Sequence, residues 1–137
     1  MTDNFEQISL KSGFMKHNGG LLIKKISESE YQFKTKVTSN HLNRAGITHG
    51  GYIASIIDAG SGSAAHKSAE NFPCVTISLE IKFIAPTKEG DEIYGISKIS
   101  KKTKSMIFIV CDLVCDGKII ATASGVWKIL RNKSLPK

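Results

Sequence analysis

Residues 49–83 read HGGYIASIIDAGSGSAAHKSAENFPCVTISLEIKF and change periodicity near their middle. Apolar and small residues first recur at helical spacing, at Ile53, Ile56, Ile57, Gly60 and Ala64. This spacing predicts an amphipathic helix, which would begin at Thr48 or His49 and fray near Ser68. From residue 75 to residue 83, apolar residues alternate strictly with polar ones, as in a half-buried strand. A long helix therefore leads into a strand.

Five more strands are predicted around this helix, at residues 21–27, 31–38, 92–100, 105–115 and 118–130. The last two would form a hairpin around Asp116-Gly117, a strong signal for a two-residue turn. This turn would pair Leu113 with Ile120, Met106 with Trp127 and Phe108 with Gly125. A short helix is also expected at the N-terminus, because Asp3 and Glu6 stand at capping-box spacing.

The predicted order is two strands, one long helix and four strands, which gives an α+β fold class. A single helix buries its apolar face here only if an antiparallel sheet of about six strands curves around it. Gly95 and Gly125 are positions where such a sheet could bend or admit a close backbone. The 137 residues are enough for one domain, residues 1–137, with a hydrophobic core of its own.

The composition of the chain indicates which broad class of protein it belongs to. Hydrophobic residues make up 41% of the chain and charged residues 23%, as in an ordinary globular protein. No run of about 18 apolar residues exists, so no stable membrane insertion is expected. The first residues lack the basic and apolar regions of a secretory signal, and three cysteines do not suggest a disulfide framework. We therefore expect a cytoplasmic protein.

The net charge of +7 favours anionic partners. The densest basic stretch consists of Lys98, Lys101, Lys102 and Lys104, and no aromatic residue interleaves with these four. Binding of single-stranded nucleic acid through base stacking is therefore not expected. The four histidines show no spacing typical of zinc ligands, so no metal site is predicted.

The pair Gly50-Gly51 stands at the predicted start of the long helix, although glycine is a poor helix former. Backbone amides in a first helical turn lack acceptors within the helix, and a ligand can closely approach a residue without a side chain. An oxygen gaining negative charge could bind there, at the positive end of the helix dipole. The alternative is a tight packing of loop against helix with no ligand.

Asp58 lies in the middle of the same helix, in the most apolar part of the chain. A carboxylate in an apolar groove has either a dedicated partner or a chemical role. The alternative is a solvent-facing residue on the polar side of the helix. His49 and Asp58 are nine residues apart, so they point to opposite sides of the helix, roughly 13 Å apart along its axis. If both contact one substrate, they come from two chains of a symmetric homodimer with composite sites.

The pattern Asn43-x-x-Gly46-x-x-His49-Gly50-Gly51, followed by Asp58, resembles the signature of the hotdog-fold thioesterases. The similarity is to the PaaI-like and acyl-CoA thioesterase 13-like branch, and it runs from about residue 14 to residue 130. It includes residues 83–91, which resemble the strand–Pro–Gly–Asp turn of that family. The resemblance implies the hotdog fold, a core at about 14–130 and hydrolysis of an acyl-CoA to a free acid and coenzyme A.

The resemblance also implies a role for individual residues. Asp58 would be the general base or the nucleophile, and the amide of Gly50 would polarise the thioester carbonyl. Asn43 and His49 would orient the thioester or the attacking water, and Thr76 would supply a hydroxyl near Asp58. The two sides of the site, those of Gly50 and Asp58, would come from different protomers. No metal or bound cofactor is implied.

For coenzyme A binding, the resemblance points to Gly51 and to basic side chains against the phosphates, namely Lys101, Lys102 and Lys104. A solvated charged loop is the alternative for these lysines. Two other functions remain as rivals: a non-catalytic acyl-CoA-binding hotdog protein, and a hydratase or dehydratase. Dimers of dimers, which are common among these proteins, are expected for the assembly.

Overall fold

The computed structural model describes residues 4–131. It contains seven strands, a single-turn helix α1 (Phe14–His17) and a long helix α2 (Gly50–Ser68). The strands are β1 (Glu6–Ile8), β2 (Leu21–Lys25), β3 (Glu30–Lys36), β4 (Cys74–Phe83), β5 (Glu92–Lys102), β6 (Met106–Cys115) and β7 (Lys118–Ile129). The α+β class and the long helix are thus as predicted, and helix α2 begins and ends within two residues of its predicted bounds.

All seven strands form one antiparallel sheet in the order β1-β2-β3-β5-β6-β7-β4. The chain leaves helix α2 and crosses to the far edge of the sheet, where β4 pairs only with β7 among the described strands. Helix α2 lies against strands β2 to β7 and buries Ile53, Ile56 and Ile57 against them. The predicted count of about six strands is one too low.

The additional strand is β1, at the position where the sequence predicted a short helix. Glu6 pairs with Ile23 and Ile8 pairs with Leu21, so this segment adds an edge strand beside β2. Ile8 also packs against the hydrophobic core. The helix predicted from the capping-box spacing is wrong because these contacts with β2 outweigh a weak local preference for helix. Asp3, the proposed cap, lies outside the described residues.

The hairpin of β6 and β7 turns at Asp116-Gly117 as predicted, with φ of 50° and 75° at these residues. Positive φ at both central residues is typical of a type I′ turn. The predicted register is nevertheless wrong by one residue, because a bulge follows the pair Val114–Ile119. Beyond it the observed pairs are Leu113 with Ala121, Phe108 with Val126 and Met106 with Lys128.

The ring of Phe33 lies between helix α2 and the sheet and is fully buried. A Cβ atom placed on either Gly60 or Gly95 would overlap this ring. At Gly125 a Cβ would come within 2.6 Å of the Trp127 ring and 3.0 Å of the carbonyl oxygen of Ser78. The predicted close approach of a backbone occurs at Gly125, whereas at Gly95 the group that approaches is an aromatic ring.

Strand β4 has the predicted extent but not the predicted burial. A bulge lies between Thr76 and Ser78, and Ile77 and Phe83 are 53% and 59% exposed. Ile84, just beyond the strand, is 57% exposed. The half-buried prediction is therefore wrong for Ile77 and Phe83 in the single chain, because β4 is an edge strand. Its second edge has no neighbouring strand within the described chain.

Candidate functional site

The start of helix α2 is built around His49. His49 is the N-cap residue, and its Nδ1 accepts a hydrogen bond of 2.8 Å from the amide of Gly51. Its own amide donates to the carbonyl oxygen of His41 at 2.7 Å. The amide of Gly50, by contrast, has no acceptor within hydrogen-bonding distance among residues 4–131. Gly50 thus presents an unused donor at the positive end of the helix dipole.

Asn43 shapes the loop that precedes this helix. Its Oδ1 accepts hydrogen bonds from the amides of Ala45 at 2.9 Å and Ile47 at 3.3 Å. Gly46 completes the turn with φ of 81°, a value that favours glycine. Since the oxygen of the Asn43 side chain holds the loop, its amide nitrogen is the group left to donate to a ligand.

Asn43 and Gly50 line a pocket of about 400 Å³, which we call the Gly50 pocket. Its remaining lining residues are Ile47, Thr48, Ile53, Phe83, Ile84, Ala85, Pro86, Thr87 and Ile120. Most of these side chains are apolar. An oxygen atom that bound there would find few donors, and the Gly50 amide is one of them.

Asp58 lies on the exposed side of helix α2, and Oγ1 of Thr76 donates a hydrogen bond of 2.7 Å to its Oδ1. Both residues line a second pocket of about 560 Å³, which we call the Asp58 pocket. The other lining residues are Ile8, Ala59, Gly62, Ser63, His66, Lys67, Pro73, Cys74 and Trp127. Asp58 is thus exposed to solvent, as in the alternative, but it has a dedicated hydroxyl partner and lies in a pocket whose walls include both apolar residues and the basic side chain of Lys67.

The two pockets share no lining residue. Gly50 and Asp58 are eight residues apart, which corresponds to about 12 Å along the helix axis. One chain thus brings Asn43 near Gly50 and Thr76 near Asp58, but it does not bring these two groups together. His49 caps the helix beside Gly50. The catalytic roles of all five residues stay predictions.

The residues predicted to bind coenzyme A lie in different surroundings. Nζ of Lys102 donates to the carbonyl oxygen of Ser68 at the end of helix α2, where a positive charge is favoured. Lys101 and Lys104 are exposed, and none of the three lysines lines either pocket. The amide of Gly51 already donates to His49. A role in coenzyme A binding stays a prediction for all four residues.

A thiol also faces the Asp58 pocket. Burial raises the pKa of Cys74 above its ordinary value, and the nearby charges of Arg131 and Lys102 only partly offset this. A raised pKa keeps the thiol protonated near neutral pH, and the protonated form is a poor nucleophile. The carboxylate of Asp58 is therefore the better candidate for chemistry in this pocket.

One group of possible metal ligands occurs in the described part of the chain. The ligand atoms of Asp91, Cys115 and Asp116 lie within 4.8 Å of one another at the end of the β6–β7 hairpin. Nζ of Lys88 already stands 3.6 Å from Asp91, and Asp91 Oδ2 accepts the amide of Lys88. These two contacts within the turn explain the position of the Asp91 carboxylate. These residues are absent from the linings of the Gly50 and Asp58 pockets.

Two features near the helix start were not singled out from the sequence as functional. His41 is buried and stacks on Tyr52, with ring centroids 3.6 Å apart, so it is a packing residue. Its carbonyl holds the amide of His49. Thr48 and Thr87 form a buried hydroxyl pair beside Gly50. No spacing rule could have found this pair, because its members are 39 residues apart and lie in loops.

The chain is similar in sequence to known thioesterases. The model of the thioesterase superfamily matches residues 45–121. Mouse acyl-coenzyme A thioesterase 13 is 34% identical over 88 residues, which are 63% of this chain and 63% of that protein's length.

Two solved structures show the same fold. The PaaI protein of the E. coli phenylacetic acid degradation operon has a TM-score of 0.77 at 22% identity, covering 84% of this chain and 82% of its own. A hypothetical thioesterase from Streptococcus pneumoniae TIGR4, solved with coenzyme A, has a TM-score of 0.75 at 20% identity, covering 81% and 89%. The fold predicted from the sequence is thereby confirmed.

Proposed function

Because the chain belongs to the thioesterase superfamily, we propose that it hydrolyses an acyl-CoA to a free acid and coenzyme A at sites built by two copies of itself. Its hotdog fold and its similarity to mouse acyl-coenzyme A thioesterase 13 support this function. One observation supports a more specific proposal than membership of the family alone. A free amide at Gly50 and a hydroxyl-bonded carboxylate at Asp58 lie in two separate pockets of one chain.

The proposed chemistry begins at the carbonyl. The Gly50 amide and the helix dipole polarise the carbonyl oxygen of the thioester, and the Asn43 amide nitrogen helps to orient the substrate. Asp58, held by Thr76, removes a proton from water as the water oxygen attacks the carbonyl carbon. The tetrahedral oxyanion then collapses, the carbon–sulfur bond breaks, and the sulfur of coenzyme A takes up the proton that Asp58 removed from water, which restores the carboxylate. Direct attack by Asp58 through an acyl anhydride is the alternative.

Two chains are required because a single chain keeps Asn43 and Gly50 in one pocket and Thr76 and Asp58 in another. In the proposed homodimer, the Gly50 pocket of one protomer faces the Asp58 pocket of its partner. The open edge of β4 and the exposed side chains of Ile77, Phe83 and Ile84 supply an apolar surface for such an interface. Association of two such dimers into a tetramer is part of the proposal.

Coenzyme A is the proposed carrier of the acyl group. The similar protein from Streptococcus pneumoniae was solved with coenzyme A, and the net charge of +7 favours a substrate that carries phosphates. Lys101 and Lys104 are exposed and free to contact those phosphates, whereas Lys102 would first release Ser68. Part of the positive charge therefore already stabilises the helix end.

The location of the protein is proposed to be the cytoplasm, as the sequence suggested. Between residues 4 and 131, no helix combines the length and the apolar character needed to cross a bilayer. The cysteines in this range, Cys74, Cys111 and Cys115, are all free thiols.

Release of free thiol from a panel of acyl-CoAs tests the function, with wild type measured beside Asp58→Asn. We expect wild type to hydrolyse at least one class of thioester and the variant to be slower by on the order of a hundredfold or more. Asp112→Asn is the matched control, because Asp112 is an exposed carboxylate on β6 that lines neither pocket. Equal binding of acyl-CoA by wild type and Asp58→Asn without turnover by either would instead establish a non-catalytic binding protein.

A further inference from the structure

A pair of buried threonines joins the start of helix α2 to the loop after β4. Thr48 and Thr87 are only 7% and 5% exposed. The amide of Thr48 donates to the carbonyl oxygen of Thr87 at 2.9 Å, and Oγ1 of Thr87 donates to Oγ1 of Thr48 at 2.7 Å. Two hydrogen bonds thus fix the position of the Thr48 hydroxyl.

The direction of the second bond leaves one proton unused. A threonine hydroxyl carries one donor and two acceptor lone pairs. In Thr48 one lone pair accepts the proton of Thr87, while no acceptor for the proton of Thr48 lies within reach in the chain from residue 4 to residue 131. A buried donor of this kind normally has a partner. The Thr48 hydroxyl is therefore ready to bind an acceptor that the single chain does not supply.

The surroundings of this hydroxyl show where that acceptor can enter. Thr48 and Thr87 both line the Gly50 pocket, together with Gly50 and Asn43. Most of the other walls are apolar side chains, such as Ile53, Phe83 and Ile120. Among residues 4–131, the donors on this side without an acceptor include the Thr48 hydroxyl, the Gly50 amide and the amide nitrogen of Asn43. Several donors without an acceptor fit a ligand oxygen that is neutral or gains negative charge.

We propose that the Thr48 hydroxyl donates a hydrogen bond to the carbonyl oxygen of the thioester, beside the Gly50 amide, and that Thr87 is the positioning residue that orients it. This inference rests on the proposed thioesterase function. Thr48 is then a second donor to the developing oxyanion, supplied by a side chain. No proton is transferred by Thr48, since the hydrogen bond only shortens as charge builds on the oxygen.

The kinetic test compares four variants by release of thiol from the best acyl-CoA. Thr48→Val removes the hydroxyl and keeps the branched shape, and we expect kcat to fall by on the order of a hundredfold. Thr48→Ser keeps the hydroxyl and should stay within about fivefold of wild type. Thr87→Val leaves the Thr48 donor in place and should lose only about tenfold or less.

The double variant Thr48→Val/Thr87→Val separates chemistry from packing. It removes both hydroxyls, so no buried donor is left without an acceptor. If the loss in Thr48→Val came only from the stranded hydroxyl of Thr87, the double variant would regain kcat. We expect it to stay as slow as Thr48→Val. Recovery of kcat in the double variant, or a kcat of Thr48→Val close to wild type, would overturn the proposal.

A binding test does not depend on turnover. Two unreactive analogues are compared, one with a ketone in place of the thioester (CoA–S–CH2–CO–R) and one S-alkyl-CoA without a carbonyl. Thr48→Val should weaken binding of the ketone by about tenfold or more and leave binding of the S-alkyl analogue unchanged. Equal weakening of both analogues would contradict the assignment. If wild type binds both but hydrolyses no acyl-CoA, the proposed function fails while the role of Thr48 is still decided.

Discussion

At the scale of single residues, the two adjacent glycines of the helix start are not equivalent. The amide of Gly51 is bound by the imidazole of His49, whereas the amide of Gly50 has no acceptor in the described residues. The sequence pointed to both glycines because both lack side chains. The family resemblance assigned different roles to them, but their residue type alone does not, since the difference depends on the conformation of the N-cap residue.

Replacement of Gly50 by proline tests the importance of its amide. Proline lacks the N–H group but suits the first position of a helix, and the preceding residue must be extended. His49 meets this condition, with φ of −63° and ψ of 135°. We expect Gly50→Pro to fold and to lose on the order of a hundredfold to a thousandfold in kcat.

Gly50→Ala is the control for this variant. It keeps the amide, and its Cβ would lie 3.5 Å from the Phe83 ring, an ordinary contact. Steady-state kinetics should show Gly50→Ala within about tenfold of wild type. If Gly50→Pro turned over as fast as Gly50→Ala, the amide would have no part in catalysis.

Some residues of the candidate site can be identified from the sequence and others cannot. Gly50 stands out in the sequence because glycine is a poor helix former, and Asp58 stands out because it is a carboxylate in the most apolar part of the chain. The pair Thr48–Thr87 does not stand out, because threonine is unremarkable in a loop and the partner is distant in the chain. Only the folded structure shows that their hydroxyls meet beside the Gly50 pocket.

At the scale of elements, the long helix and the six predicted strands are present, whereas the shortest strand and the register of the last hairpin were not predicted correctly. Helix α2 and strand β4 each repeat their apolar pattern several times, so their type and extent follow from the sequence. Strand β1 has three residues and gains its conformation from pairing with β2. The register of β6 with β7 depends on one bulge near Val114, and no local sequence pattern predicts this bulge.

The packing of helix α2 on the sheet depends on Gly60. Alanine there would gain up to about 1 kcal/mol in helix propensity over glycine. Its methyl group would however overlap the ring of Phe33, which is fully buried. Overpacking typically costs about 1–3 kcal/mol. Because a Cβ on Gly60 would overlap several atoms of the ring, the cost should fall in the upper part of this range, and Gly60→Ala should lower the free energy of unfolding in urea by about 1–2 kcal/mol.

Gly50→Ala serves again as the control, since it lies in the same helix but meets no crowded neighbour. Its free energy of unfolding should stay within about 0.5 kcal/mol of wild type. A Gly60→Ala protein as stable as wild type would show that Phe33 can shift and that this glycine is not a packing requirement.

At the scale of the whole molecule, the chain has an open sheet edge and two separate pockets. Within residues 4–131, strand β4 pairs on one side only, and it exposes Ile77 and Phe83. Phe83 lines the Gly50 pocket, and Thr76 of the same strand holds Asp58. An interface formed along this strand would therefore lie close to both pockets. The sequence suggested the homodimer both from the positions of His49 and Asp58 on the helix and from the family resemblance, and the separation of the two pockets within one chain favours the same arrangement.

Complementation between two inactive variants tests the composite site most directly. Asp58→Asn removes the carboxylate and Gly50→Pro removes the amide, and each variant alone should show almost no thiol release. When both are co-expressed in equal amounts, half of the dimers are mixed, and each mixed dimer has one intact site. We expect about a quarter of wild-type activity to return. Activity no higher than that of the two variants measured separately would contradict a site shared between two chains.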